Sequence, residues 1–312
     1  MSAATGKQAE QDGNRTPYAH FPRATHRECQ QTLAAHVDAT KETSACQFNG
    51  RTRVFSSMKE MRADVICVCS VPGEAASLVS AMHGAKKVDF GLFRGFSGGF
   101  GSRRVAVVIA GAQEASVYAA TRQVAYLLSP RWGLYFGLAG AVCELLKTGD
   151  FVLMSEVRRY YCPPALADNL FSDDSLLFSS EDARREVMEA VTVESDPGLL
   201  HQALDAVGTL RPAGCIQPGV RAVRGASSDE ELHGWRAREF VRGKYRVDVV
   251  DSGSYGFLCA AADAGLPGIG MASIGDECGE VGRRPAGKLD RKWLRIGAEY
   301  VLHIVQAISS AR

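Results

Sequence analysis

Charge of one sign is what this sequence has least of: 36 Lys and Arg against 35 Asp and Glu leave a formal net charge of +1 over 312 residues. No field of that size gathers nucleic acid or an anionic membrane surface. Long apolar runs are also lacking, and none reaches the roughly 20 residues that a membrane-crossing helix needs. The opening stretch MSAATGKQAEQDGNRTPYAHFPR has no apolar block of the kind that marks a secretory signal. Glu10, Asp12, Glu28 and Asp38 count against an organelle transit peptide, so a cytoplasmic location is expected. No internal repeat stands out.

What is present reads as an ordinary globular chain, 46% apolar and 23% charged. The nine cysteines are an odd number spread over apolar segments, a pattern of reduced thiols rather than a disulfide framework. Cys67 and Cys69 lie two apart on an expected strand and so share a face. With no Cys/His pair at zinc spacing beside them they are core thiols, and no metal or cofactor is expected.

Residues 1–62 are polar and irregular, with at most a helix near 27–42, and are expected to form a flexible N-terminal extension. The domain proper is expected over 63–312. It starts at ADVICVCSV (63–71), a β-branched run suited to a buried strand. Pro72-Gly73 then opens a helix, EAASLVSAMHG, expected to stop at Gly84. Residues 88–111 read as two strands joined by a Gly-rich hairpin, the second being RRVAVVIAG. A helix near 114–128 follows, then the strand GLYFGLAG, a short turn, and the strand DFVLMSEV. An irregular middle near 160–195 holds Cys162-Pro-Pro. Beyond it come a helix near 197–207, strands near 219–224 and 247–251, a helix near 254–264 and the strand GIGMASIG (268–275). An amphipathic helix closes the chain, with Leu294, Ala298, Val301, Leu302 and Val305 at helical spacing. The fold class expected is α/β, a single domain with a central mixed β-sheet flanked by helices.

Such sheets bind ligands beyond the carboxyl ends of their strands. The positions to inspect are therefore Ser70–Glu74, Gly111–Glu114, Gly137–Ala141, Arg224–Ser228, Asp251–Ser254 and Gly275–Asp276. Two familiar strings fail on context. Gly95-Phe-Ser97-Gly-Gly99 spells a nucleophile elbow, but that motif needs a strand-to-helix turn and Ser97 falls in a Gly-rich hairpin. Gly282–Lys288 has phosphate-loop spacing, but Leu289 stands where a hydroxyl should hold magnesium.

Glu74 after the first strand, Gly137-Leu-Ala-Gly140 in the middle and Asp276 after the last strand come in a telling order. With FGLAGAVCELLKTGDFVLMSEVRRYY, they resemble the nucleoside phosphorylase family, especially its methylthioadenosine and adenosylhomocysteine nucleosidases. The resemblance covers residues 63–308 and implies that family's three-layer fold. It implies that Ala139 and Gly140 are small because a purine packs on them. Glu74 falls on the acid that activates the attacking water, and Asp276 on the acid that protonates purine N7. Carboxyl groups suit both places, since breaking an N-glycosidic bond builds positive charge on the sugar and negative charge on the base.

The match has gaps. In VDVVDSGSYGFL, Asp251 keeps an acid, but Ser252 and Gly253 replace a Met-Glu pair whose Glu grips the ribose 2′- and 3′-hydroxyls. Leu138 and Gly275 replace serines, Gln113 replaces a glycine after Gly111, and Gly225 is followed by Ser227 and Ser228 where an aromatic would meet the base. No arginine matches the phosphate-binding arginines of the phosphorylases, which favours hydrolysis, though phosphate stays a possible partner. Gly111, Ala139, Gly140, Gly225, Asp251, Gly253 and Ser254 are thus the expected substrate-binding residues, beside catalytic Glu74 and Asp276. The expectation is a homo-oligomeric enzyme cleaving a purine nucleoside or related metabolite. Its alternative is a catalytically degenerate nucleoside-binding or scaffold protein, and a serine hydrolase using Ser97 ranks below both.

Overall fold

Five apolar residues in a row, Val65–Cys69, form strand β1, and all five are buried because both faces of the sheet are covered. The computed structural model describes residues 62–161, 191–210, 219–230, 232, 234–277 and 288–308. By its contacts the chain divides into Met1–Ser56 and Ser57–Arg312, and the described residues all belong to the second unit. The expected N-terminal extension with its helix near 27–42, Cys162-Pro-Pro and the Gly282–Gly287 loop lie outside the described residues.

After β1 come α1 (Pro72–Val79), β2 (His83–Phe90), β3 (Phe93–Phe100), β4 (Arg103–Ile109), α2 (Glu114–Leu128), β5 (Trp132–Ala141) and β6 (Phe151–Arg159). Then follow β7 (Thr192–Glu194), α3 (Pro197–Thr209), β8 (Val220–Ser227), α4 (Trp235–Tyr245), β9 (Val249–Asp251), α5 (Ser254–Asp263), β10 (Gly268–Asp276) and α6 (Lys288–Ala307).

The sheet runs β10-β6-β8-β9-β5-β1-β4-β3-β2, with β7 on β6. Because β10 also pairs with β5, strands β5, β10, β6, β8 and β9 close into a ring. Parallel pairs (β1 with β4 and β5, β10 with β5, β6 with β8, β8 with β9) mix with antiparallel ones. One face packs on α1, α3 and α6 through Cys67, Leu78, Ala203 and Tyr300. The other packs on α2 and α5 through Val68, Val124 and Phe257. Cys67 and Cys69 are free, buried thiols in the first of these cores.

Three expectations need correction. The first helix ends at Val79, where Ala81 and Met82 donate three residues back and tighten the last turn, so Gly84 belongs to β2. The Gly-rich stretch is no hairpin loop but β3, the middle of a three-stranded meander. Its Gly95 has no room for a side chain because the Val107 carbonyl crosses there. Ser97 therefore lies inside a strand, paired with Ala106 and Lys86, and the strand-to-helix turn of a nucleophile elbow is absent at that residue. Finally, Gly137–Gly140 is not a turn past the strand: β5 runs on to Ala141.

β7 and α4 were not foreseen. Strand β7 is only three residues long. Helix α4 buries just Ala237, Phe240, Val241 and Tyr245 among four basic residues and a glycine, which blurs its apolar stripe.

Candidate active site

The strand ends bring together a buried polar group made of Ser70, Glu74, Tyr135, Ser227, Asp251 and Ser254. Glu74 owes its place to α1. Pro72 sets the first helical turn, and the Glu74 Oε2 reaches back to accept from the amides of Val71 (3.1 Å) and Ser70 (2.9 Å). Its Oε1 accepts from the Leu138 amide of β5 at 3.0 Å, tying α1 to the middle of the ring. Glu74 is 5% exposed, and burial lifts its carboxyl from the ordinary 4.5 to about 7 despite three amide donors. An acid poised there can take a proton from water near neutral pH.

Tyr135 lies two residues before Gly137 on β5 and is buried. Its hydroxyl and that of Ser70 are 2.8 Å apart and share one hydrogen bond. A Cβ on Gly137 would stand 3.0 Å from the Glu74 Oε1 and 3.0 Å from the Tyr135 hydroxyl. That glycine is small because these two groups flank it.

Asp251 ends β9. Its Oδ1 accepts from the hydroxyls of Ser227 and Ser254 (the latter 2.9 Å) and from the amides of Ser254 (3.1 Å) and Gly253 (3.2 Å). Its Oδ2 is buried and has no hydrogen-bond partner among the described residues. Burial raises the Asp251 carboxyl above its ordinary range, and its charge in turn raises that of Glu74. Glu114, at the start of α2, is a third buried carboxylate; Arg159 stands 3.5 Å from its Oε2, and Asp229 accepts from its amide at 2.7 Å. Desolvation comes first in raising its pKa, with Asp229 and Asp251 adding to it.

Other expected positions are placed as follows. Asp276 is exposed at the end of β10, opposite Gly140, while Gly140 also faces Val250 of β9. Glu74 and Asp276 thus approach the same strand, one at Leu138 and the other two residues on. Ala139 and Gly140 are buried inside β5. Gly111 holds a φ of +99° and its amide donates to the Ser70 carbonyl at 3.0 Å, so it joins the ends of β1 and β4. A Cβ on Gly225 would come to 3.0 Å from the Met154 sulfur, so close packing between strands already accounts for that glycine. Gly253 has a φ of −147° and a ψ of −21°, so left-handed backbone is not why it is glycine. The reason is Tyr135: a Cβ at 253 would lie 2.6 Å from its ring and 2.7 Å from its hydroxyl.

Sequence reasoning passed over Tyr135, and it noted Ser227 only as a replacement for an aromatic. The available signal was a tyrosine inside an apolar strand, which when buried needs a partner for its hydroxyl. Among the described residues no group of three or more His, Cys, Asp or Glu side chains is arranged to hold a metal ion. Two surface depressions of about 290 and 440 Å³ share Gly265 and Leu266, at the far end of β10 from these acids. Their linings include none of Glu74, Glu114 and Asp251.

A family model described as the phosphorylase superfamily matches residues 64–310. The 5′-methylthioadenosine/S-adenosylhomocysteine nucleosidase of Neisseria meningitidis, in complex with methylthio-immucillin-A, superposes with a TM-score of 0.64 at 19% identity, covering 78% of this chain and 99% of that one. Futalosine hydrolase of Helicobacter pylori gives 0.64 at 13% identity, with 78% and 97% covered. The Campylobacter jejuni 5′-methylthioadenosine/S-adenosylhomocysteine nucleosidase gives 0.64 at 13%, with 79% and 100% covered. No curated protein sequence matches this chain.

Proposed function

The chain belongs to the phosphorylase superfamily, and from that premise we propose that it hydrolyses the N-glycosidic bond of a purine nucleoside or related metabolite. The observation that carries the reading is the buried acidic group at the strand ends, Glu74 and Asp251 with Glu114 behind them. As the bond to the base breaks, positive charge grows on the sugar, and fixed carboxylates stabilise it in a site shielded from water. The same charges repel a phosphate dianion, which favours water as the nucleophile. The names of the superposing structures, nucleosidases and a hydrolase, point the same way.

In the proposed step a water oxygen bonds to the anomeric carbon while Glu74 takes its proton. The C–N bond breaks, its electron pair stays with the base, and Asp276 gives a proton to the base nitrogen. The products are a free base and a free sugar. Ala139 and Gly140 leave room for the flat base. A homo-oligomer in the cytoplasm is the expected working form.

The test is a purified-protein screen against a nucleoside panel with and without phosphate, reading free base by chromatography. Base release that does not need phosphate, with ¹⁸O from labelled water entering the sugar, is expected. Strict dependence on phosphate would make the enzyme a phosphorylase. One observation favours a second reading, binding without cleavage: Tyr135 fills the space beside Gly253. Calorimetric binding with no base release would establish it.

A further inference from the structure

Two features of the acidic group remain unused by the proposed step: the Tyr135–Gly253 contact and the unpartnered Asp251 Oδ2. A side chain at 253 and a tyrosine at 135 exclude one another, because a Cβ at 253 would lie 2.6–2.8 Å from three atoms of the phenol. Such distances lie well inside van der Waals contact, and the ring cannot yield easily. Tyr135 is buried, and its hydroxyl is held by Ser70 at 2.8 Å. The phenol is uncharged and already bonded, so it offers no two-point grip for a pair of neighbouring hydroxyls. Asp251 differs. Four donors crowd its Oδ1, while the buried Oδ2 accepts from none of the described residues. A buried acceptor left empty is costly, and one ligand hydroxyl would relieve that cost.

We propose that Tyr135 and Asp251 together set the sugar specificity of this site. Asp251 Oδ2 accepts from one sugar hydroxyl, and Tyr135 occupies the place of the second. The preferred substrate is then a deoxyribonucleoside, with a single hydroxyl on that edge, rather than a ribonucleoside with an intact vicinal diol. This rests on the nucleoside reading above. A site without partners for a hydroxyl has nothing to lose when the hydroxyl is missing, and it strains against the group when it is present.

The test uses the full chain with adenosine, 2′-deoxyadenosine and 3′-deoxyadenosine, and the matching inosine series, measuring both binding by calorimetry and base release. At least one deoxy analogue should bind and react as well as the ribonucleoside or better. Gly253→Glu alone should lower the Tm, and adding Tyr135→Ser should restore it. The double variant should move the preference toward the ribonucleoside by about tenfold or more. A native preference for the ribonucleoside over both deoxy analogues would overturn the inference. So would an unchanged Tm in Gly253→Glu, or an unchanged preference in a folded double variant. Binding with the expected preference but no base release supports the inference and overturns cleavage; no binding by any analogue overturns both.

Discussion

Burial lifts the Glu74 carboxyl from 4.5 to about 7, so the folded protein keeps a proton there that the unfolded chain gives up. Stability from this group is therefore full below about pH 4.5, falls as pH rises toward 7, and is level above that. The loss across the window is about 3 kcal/mol. Asp251 is raised too and adds a slope of the same sign. In urea melts at pH 5 and pH 8, Glu74→Gln should show a clearly smaller difference than the native protein. An equal difference would mean that Glu74 is not the buried titrating group. If Glu74 is also the base, native kcat/KM should climb with pH and level off above about 7, and Glu74→Gln should lose about 10²–10⁴ in turnover.

Asp276 makes a contrasting case at the same scale. It is exposed, so Asp276→Asn should leave the Tm within a few degrees while cutting turnover by about 10²–10⁴. Near-normal turnover would remove it from the mechanism. Gly137→Ala separates packing from chemistry, since the added methyl meets the Glu74 carboxylate and the Tyr135 hydroxyl at 3.0 Å each. A cost of about 1–3 kcal/mol is expected, with a fall in turnover beyond what the lost folded fraction explains. A stable, fully active Gly137→Ala protein would show that the two groups yield freely.

Among the elements, the turn between β5 and β6 makes the sharpest prediction. Gly149 has a φ of +100°, and a Cβ there would lie 2.5 Å from the Trp293 ring of α6. Gly149→Ala combines backbone strain with a clash against a helix, so a loss of about 2–4 kcal/mol is expected in denaturant melts. A change under about 0.5 kcal/mol would show that α6 moves aside. Elements whose residues announce themselves were legible in the sequence. β1 and β4 are apolar runs, α2 and α5 are apolar helices, and β10 is an apolar run after a proline. β2 was hidden because HGAKKVDF is an edge strand, exposed along most of its length, and edges carry lysines rather than apolar alternation. The candidate site was legible as far as Glu74, Asp251 and Ser254, which lie at or beyond the ends of strands. Its Tyr135–Gly253 contact was not, because it joins two segments remote in sequence and depends on the ring closing between them.

For the whole molecule, residues 64–310 match the family model and the superposing structures are covered almost end to end. Removing residues 1–25 should accordingly leave both the Tm and the base-release rate within error of the full chain. A drop of several degrees would mean that the first residues are docked on the domain or on a second subunit.

Ring closure has a dynamic consequence. An open sheet frays from its edge, and β2 is such an edge, so its amide hydrogens should exchange with deuterated water early. The strands of the ring each have neighbours on both sides, and β5 is bonded to β1, β10 and, at its end, β9. No end exists there from which unzipping can begin. Amides in the middle of β5 and β10 should exchange only when the whole domain opens, on the slowest timescale in the molecule. On the reading proposed above, a nucleoside would reach Glu74 through the segments that follow the strands, while the ring behind them holds still.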